Sequence, residues 1–133
     1  MELDVGCVGE LQRVVDESMT ASAIGSGLVA ALATPVMIAL MEGAAVEAVR
    51  PLLDSEGLSS VGTRIDVEHL APTPIGMRVI AHATLEAVDG RRLVFRVTVE
   101  DEAGLVGKGT HERFVVDLEA FMKKLEARAP RQG

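Results

Sequence analysis

Thr34-Pro35-Val36-Met37-Ile38-Ala39-Leu40-Met41-Glu42 is the stretch that decides how the chain folds. Thr is a favoured N-cap, and Pro suits the first helical position, where its missing amide hydrogen costs nothing. The pair predicts a helix start at Thr34-Pro35, and the pattern continues to about Leu53. Val36 to Met41 are apolar on every side, which marks a helix wrapped by other structure rather than one lying on a surface. This is the expected central helix.

Beyond Gly57 the period changes from helical to alternating. Thr63, Ile65, Val67 and His69 fall on one face and Arg64, Asp66 and Glu68 on the other, the pattern of a half-buried strand. Pro72 and Pro74 break it. Met77, Val79, Ala81, Ala83 and Leu85 then alternate toward Asp89-Gly90, a strong hairpin signal, and Leu93, Phe95, Val97 and Val99 alternate on the return strand. A turn at Asp101 to Gly104 leads into a strand ending near Val116, and Leu118 to Arg128 reads as a short terminal helix. Upstream, Leu3 to Val15 suggests one early strand, while Ser18 to Ala33 is a run of small residues with no clear assignment.

The expected order is one strand, a long helix and a four-strand antiparallel meander. Strand-helix alternation, repeats and linkers are all missing, so residues 1–133 read as one α+β domain. An all-round apolar helix beside a meander is best buried when the sheet curls about it. The expected fold is therefore a curled antiparallel sheet around a long central helix.

Composition narrows the function. The 133 residues are 48% hydrophobic and 25% charged, enough for a real core and unlike a disordered chain. A net charge of -7 repels a phosphate backbone, and three Phe with no Trp or Tyr offer no stacking platform, so nucleic acid is not an expected partner. Cys7 is the only cysteine, which excludes an intramolecular disulfide and a multi-cysteine metal site and fits a reducing compartment. The acidic start Met1-Glu2-Leu3-Asp4 is unlike a signal peptide, and no apolar run approaches the ~18 residues of a membrane helix. A soluble cytoplasmic protein without metal or cofactor is expected.

A few residues sit where their chemistry is out of place. Glu42 has Ile38, Ala39, Ala45 and Val46 one turn away and lies about 80° from Arg50 around the helix, off the polar arc. A carboxylate buried there needs a long-range partner or a role that uses its raised basicity, unless the sheet leaves an opening to water. His69 points inward with Ile65 and Val67, and a strand packed on the helix would bring it to Glu42 as an acid–base pair. Thr34 reads as an N-cap, at the end of the helix dipole that favours anionic oxygens. Gly62 either starts the strand or lets backbone approach a ligand, with Thr63 beside it. Gly107, Gly109, His111 and Arg113 share a face, where two small residues beside His and Arg leave room for a ligand's polar end, the alternative being a solvated strand edge. His82 reads as surface, and Cys7 lacks the basic neighbours of a nucleophile.

Thr34 to Glu42, Gly62-Thr63, His69, Val88-Asp-Gly-Arg-Arg-Leu93 and Gly107-Lys-Gly-Thr-His-Glu-Arg113 occur in an order that resembles the fluoroacetyl-CoA thioesterase-like family of the hotdog superfamily. The likeness spans nearly the whole chain. It implies a catalytic triad of Thr34, Glu42 and His69, with Gly62 and Arg113 near the substrate. In the same reading Thr63 and His111 join the substrate-binding set. It also implies a homodimer pairing exposed sheet edges. The fluoroacetyl enzyme carries a phenylalanine-bearing lid before its catalytic Thr, whereas Ser18 to Ala33 contains no aromatic residue. The expected activity is thus hydrolysis of a short or medium acyl-CoA, with CoA as part of the substrate rather than a cofactor. The alternatives are a non-catalytic acyl-CoA-binding or dimerising hotdog module, and a hotdog dehydratase.

Overall fold

The structure is a computed structural model that describes residues 2–130. Strand β1 (Val8–Val14) is followed by a 3-10 turn (Glu17–Met19) and the four-residue helix α1 (Ala21–Ile24). The long helix α2 (Thr34–Asp54) comes next, then strands β2 (Leu58–His69), β3 (Arg78–Asp89), β4 (Arg92–Asp101) and β5 (Gly104–Asp117), and helix α3 (Leu118–Ala127). The five strands form one antiparallel sheet in the order β1-β3-β4-β5-β2.

The expected four-strand meander is therefore only partly formed. β3, β4 and β5 are neighbours joined by tight turns at Gly90-Arg91 and Glu102-Ala103, but β2 lies beyond β5 and does not touch β3 in the sheet. The reason is the link between β2 and β3. Residues 70–77 carry Pro72 and Pro74 and are far too long for a hairpin turn, and eight extended residues span at most about 26 Å, enough to cross the intervening strands.

The sheet curls over α2 without closing. Met37, Met41, Ala44, Ala45 and Val49 of the helix are buried against Val79, Ala81, Ala83, Leu85, Leu93, Phe95, Val97 and Val99 of the sheet. Small residues set the closeness of this packing. A Cβ on Gly9 of β1 would overlap the Ala44 carbonyl oxygen and the Ala48 backbone nitrogen, so the strand crosses the helix where neither offers bulk.

Residues 16–33 form a strap rather than an open loop. Isolated bridges join Thr20 to Leu32 and Ala31 to Pro74, and Thr20 Oγ1 accepts from the Ala23 amide at the start of α1. Gly25, at φ 82°, ends α1 in the left-handed region. The tip of the strap carries Leu28, which is 96% exposed. Among the described residues no helix is long and apolar enough to cross a membrane.

Candidate active site

Thr34 is the first residue of α2 and not its cap. Ala33 takes the cap position with extended backbone and no side-chain bond. The Thr34 hydroxyl, free of capping, lies 2.7 Å from Nδ1 of His69. His69 is the last residue of β2, paired with Gly107 of β5, and α2 begins directly over that end of the sheet. A Cβ on Gly107 would stand 2.5 Å from the Met37 sulfur, so this glycine lets the first turn of α2 settle onto the strand. His69 Nε2 is buried with no hydrogen-bond partner among the described residues. An unmet buried polar atom costs about 1–3 kcal/mol, which a ligand would recover. A cavity of about 330 Å³ opens here, walled by Val29, Ala31 and Leu32 of the strap, Leu70 to Pro72, Thr34 and His69.

Glu42 occupies a second cleft, of about 220 Å³, with Gly62, Thr63, Arg64, Ile65 and His111. Its side chain is 42% exposed and its Oε2 lies 3.6 Å from Arg113 Nη1. The sheet does leave an opening at Glu42, and the expected burial without a partner is not what the fold builds. Gly62 makes the meeting possible, since a Cβ there would sit 2.7 Å from Glu42 Oε2 and 3.4 Å from Arg113 Nη1. Arg113 itself is buried. Its Nε donates to Ser60 Oγ at 2.8 Å, its Nη2 to the Ser60 carbonyl at 2.9 Å, and its Nη1 lies 3.1 Å from His111 Nε2. His111 is 1% exposed, its Nδ1 2.7 Å from the Arg64 carbonyl oxygen, and burial pushes its pKa below the ordinary imidazole value. His111 and Arg113 are inward residues, so the solvated-edge alternative does not apply to them.

One chain thus holds two separate polar clusters, Thr34–His69 and Glu42–Arg113. Glu42 follows Thr34 by eight helical residues, about 12 Å along the axis, so Glu42 reaches Arg113 and not His69. The anticipated Glu42–His69 pair is absent from the described contacts of the single chain. Thr63 lines this same cleft beside Glu42. The β2–β5 register shifts between Gly62 and Arg64, and Thr63, as the extra residue of this bulge, donates its hydroxyl to the Glu112 carbonyl at 3.2 Å. Ser60 was missing from the sequence reading. Its signal was faint, a small polar residue two before Gly62 on the same side of the strand.

Comparison with known proteins follows from this geometry. The sequence profile described as fluoroacetyl-CoA-specific thioesterase matches residues 15–119. The chain belongs to that family. A fluoroacetyl-CoA thioesterase of Streptantibioticus cattleyicolor is 46% identical over 98 residues, covering 74% of this chain and 70% of the relative. A solved structure of the fluoroacetyl-CoA thioesterase FlK superposes with a TM-score of 0.90 at 37% identity, covering 98% of this chain and all of that one. A hot-dog-like protein from Thermanaerovibrio acidaminovorans does so with a TM-score of 0.86 at 30% identity, over 98% and 96%. The open five-stranded sheet around α2 is the hotdog fold, and the thioesterase family is the one the sequence motifs resembled.

Proposed function

We propose that this chain hydrolyses a short or medium acyl-CoA thioester to a free acid and CoA, working as a homodimer in a reducing, cytoplasmic setting. The observation that carries the reading is the Thr34 hydroxyl 2.7 Å from His69 Nδ1, at the start of a 21-residue helix and on the wall of a largely apolar cavity. An acyl group fits the cavity. The first amides of α2 favour the oxyanion that forms as the thioester carbonyl is attacked. Glu42 supplies the carboxylate, either taking the proton of the attacking water or attacking the carbonyl itself to give a mixed anhydride that water then opens. In both routes the C–S bond breaks and the CoA thiolate leaves, with the half-buried His69 imidazole placed to orient water or protonate the sulfur.

The dimer supplies what one chain lacks. β2 is a 12-residue edge strand with an unpaired flank, and exposed edges of that length demand cover. Antiparallel pairing of β2 with its own copy reverses the strand, turning the Gly62 end of one chain toward the His69 end of the other. Glu42 of one chain then approaches Thr34 and His69 of its partner. The strap offers only small and aliphatic residues to the acyl cavity, and a methylene in such a pocket is worth about 1–3 kcal/mol. Acyl preference is accordingly broad. kcat/KM varies by less than about a thousandfold across straight chains, and fluoroacetyl-CoA exceeds acetyl-CoA by no more than about a hundredfold.

The decisive assay is thiol release across short, medium and aromatic acyl-CoAs. Turnover is expected, and Glu42→Gln should lower it by about a hundredfold or more. No turnover with any acyl group sinks the proposal, and equal binding of CoA esters by wild type and Glu42→Gln without hydrolysis establishes a binding module instead. Mixing Glu42→Gln with His69→Ala tests the shared site. Random re-pairing restores one intact site in half of the dimers, about a quarter of wild-type activity.

A further inference from the structure

We infer that His111 is a positioning residue: its neutral imidazole, carrying the proton on Nδ1, fixes the Arg113 guanidinium in the orientation that presents Nη1 to Glu42. The inference rests on Glu42 serving the hydrolysis proposed above, and it names a residue that acts through two others.

The bonding pattern of the ring leaves one protonation state. Nδ1 lies 2.7 Å from the Arg64 carbonyl oxygen, which only accepts, so Nδ1 carries the hydrogen. Nε2 lies 3.1 Å from Arg113 Nη1, and a guanidinium only donates, so Nε2 presents its lone pair. A doubly protonated ring would set N–H against N–H. The opposite tautomer would fail at both ends. The ring has no other place to go, being 1% exposed and stacked on Phe95 with centroids 6.4 Å apart and planes at 29°.

What the ring holds is an arginine with little freedom left. Ser60 takes Nε through its hydroxyl and Nη2 through its carbonyl, and His111 takes one hydrogen of Nη1. The second hydrogen of Nη1 is the one that faces Glu42, at 3.6 Å. Without an acceptor at Nε2 the guanidinium keeps its Ser60 contacts, but its rigid plane is free to tilt about the line through Nε and Nη2, which carries Nη1 away from the carboxylate. The same contacts engage both nitrogens of His111 inside the chain, so its route to the reaction runs through Arg113 and not through the substrate.

Two isosteric variants separate the roles. His111→Asn keeps an amide donor near the Nδ1 position and lacks an atom that reaches Arg113. His111→Gln places an amide oxygen near the Nε2 position and restores the acceptor. With kcat and KM measured on the best acyl-CoA and Tm beside them, His111→Asn is expected to lower kcat by about tenfold or more, the worth of one charge-assisted hydrogen bond, with KM within about threefold. His111→Gln should recover several-fold of that loss. Equal losses in both variants that track Tm overturn the inference in favour of a packing role, and a rise in KM at constant kcat overturns it in favour of substrate contact. Long-range 1H–15N correlation on the wild-type protein reads the tautomer directly. A hydrogen on Nδ1 with bare Nε2 is expected, and a hydrogen on Nε2 at neutral pH overturns the inference. This last measurement needs no turnover, so an inactive wild-type protein would sink the proposed hydrolysis while the ring's bonding was still decided.

Discussion

Glu42 and Arg113 face each other at 3.6 Å because the residue wedged beside them, Gly62, has no side chain. A methyl group there would stand 2.7 Å from the carboxylate oxygen, the end of a flexible side chain that swings aside, and 3.2 Å from Cε1 of the buried His111 ring, which must give by a few tenths of an ångström. Gly62→Ala should therefore move Glu42 at modest structural cost. Its stability should fall by about 1–2 kcal/mol, from the half-exposed ion pair and the slight crowding of His111, while kcat falls by about a hundredfold as the carboxylate leaves its position. Parallel denaturation and thiol-release measurements check the split, and comparable losses in both would contradict it.

Thr34 offers the same kind of separation at the other cluster. A true cap loses about 1 kcal/mol of stability when its hydroxyl is removed. Because Ala33 holds the cap position, Thr34→Val should leave the Tm nearly unchanged. The His69 contact is lost, and kcat/KM should fall by about tenfold to a hundredfold. Thr34→Ser keeps the hydroxyl and should stay much closer to wild type in the same assay.

His111 makes stability depend on pH in a definite direction. Burial first, and the charge of Arg113 after it, lower the folded pKa below 6.5, against the opposing pull of the Arg64 carbonyl, Glu42 and Glu112. In the window just below 6.5 the unfolded chain binds a proton that the folded chain refuses, so stability falls as the solution is acidified through it. Wild type should lose stability between about pH 6.5 and pH 5 more steeply than His111→Gln. Urea midpoints at several pH values supply the comparison, and superimposable pH profiles would rule the effect out.

Gly9 is a glycine of a different kind. The atoms that a Cβ would strike, the Ala44 carbonyl oxygen and the Ala48 nitrogen, belong to the backbone of α2 and have no freedom to yield. Gly9→Ala should push β1 off the helix and cost about 2 kcal/mol or more, the scale of overpacking in a close-packed core. A denaturant midpoint near that of wild type would mean that the strand is free to slide.

How far the sequence was legible depends on the distance over which each feature is decided. The helix start at Thr34-Pro35, the alternation of Val79 to Leu85 and of Leu93 to Val99, and the shared face of His111 and Arg113 rest on neighbouring residues, and the structure has them, with that face turned inward rather than to solvent. Strand order was not legible, because nothing local in Leu58 to His69 names β5 as its partner. The bulge at Thr63 was hidden for the same reason, since it is a property of two strands in register. At the site, Thr34 and His69 were found by their chemistry and did meet. Glu42 was found as well, yet its partner in the chain is Arg113, and Ser60 escaped notice because a serine on a strand is ordinary until the guanidinium it holds is seen.

The pairing of β2 with β5 also bears on when the site comes into being. Its register runs from Leu58 with Asp117 to His69 with Gly107, while β3, β4 and β5 are joined to one another by turns of two residues. Loop closure across such separations is slow compared with zipping a hairpin. Gly62 and Ser60 meet Arg113 only through that distant pairing, so the surroundings of Glu42 cannot exist on a growing chain until nearly the whole of it has left the ribosome. The surroundings of Glu42 thus wait on a pairing of strands 38 to 59 residues apart, and a chain holding only the β3-β4-β5 hairpins does not yet have them.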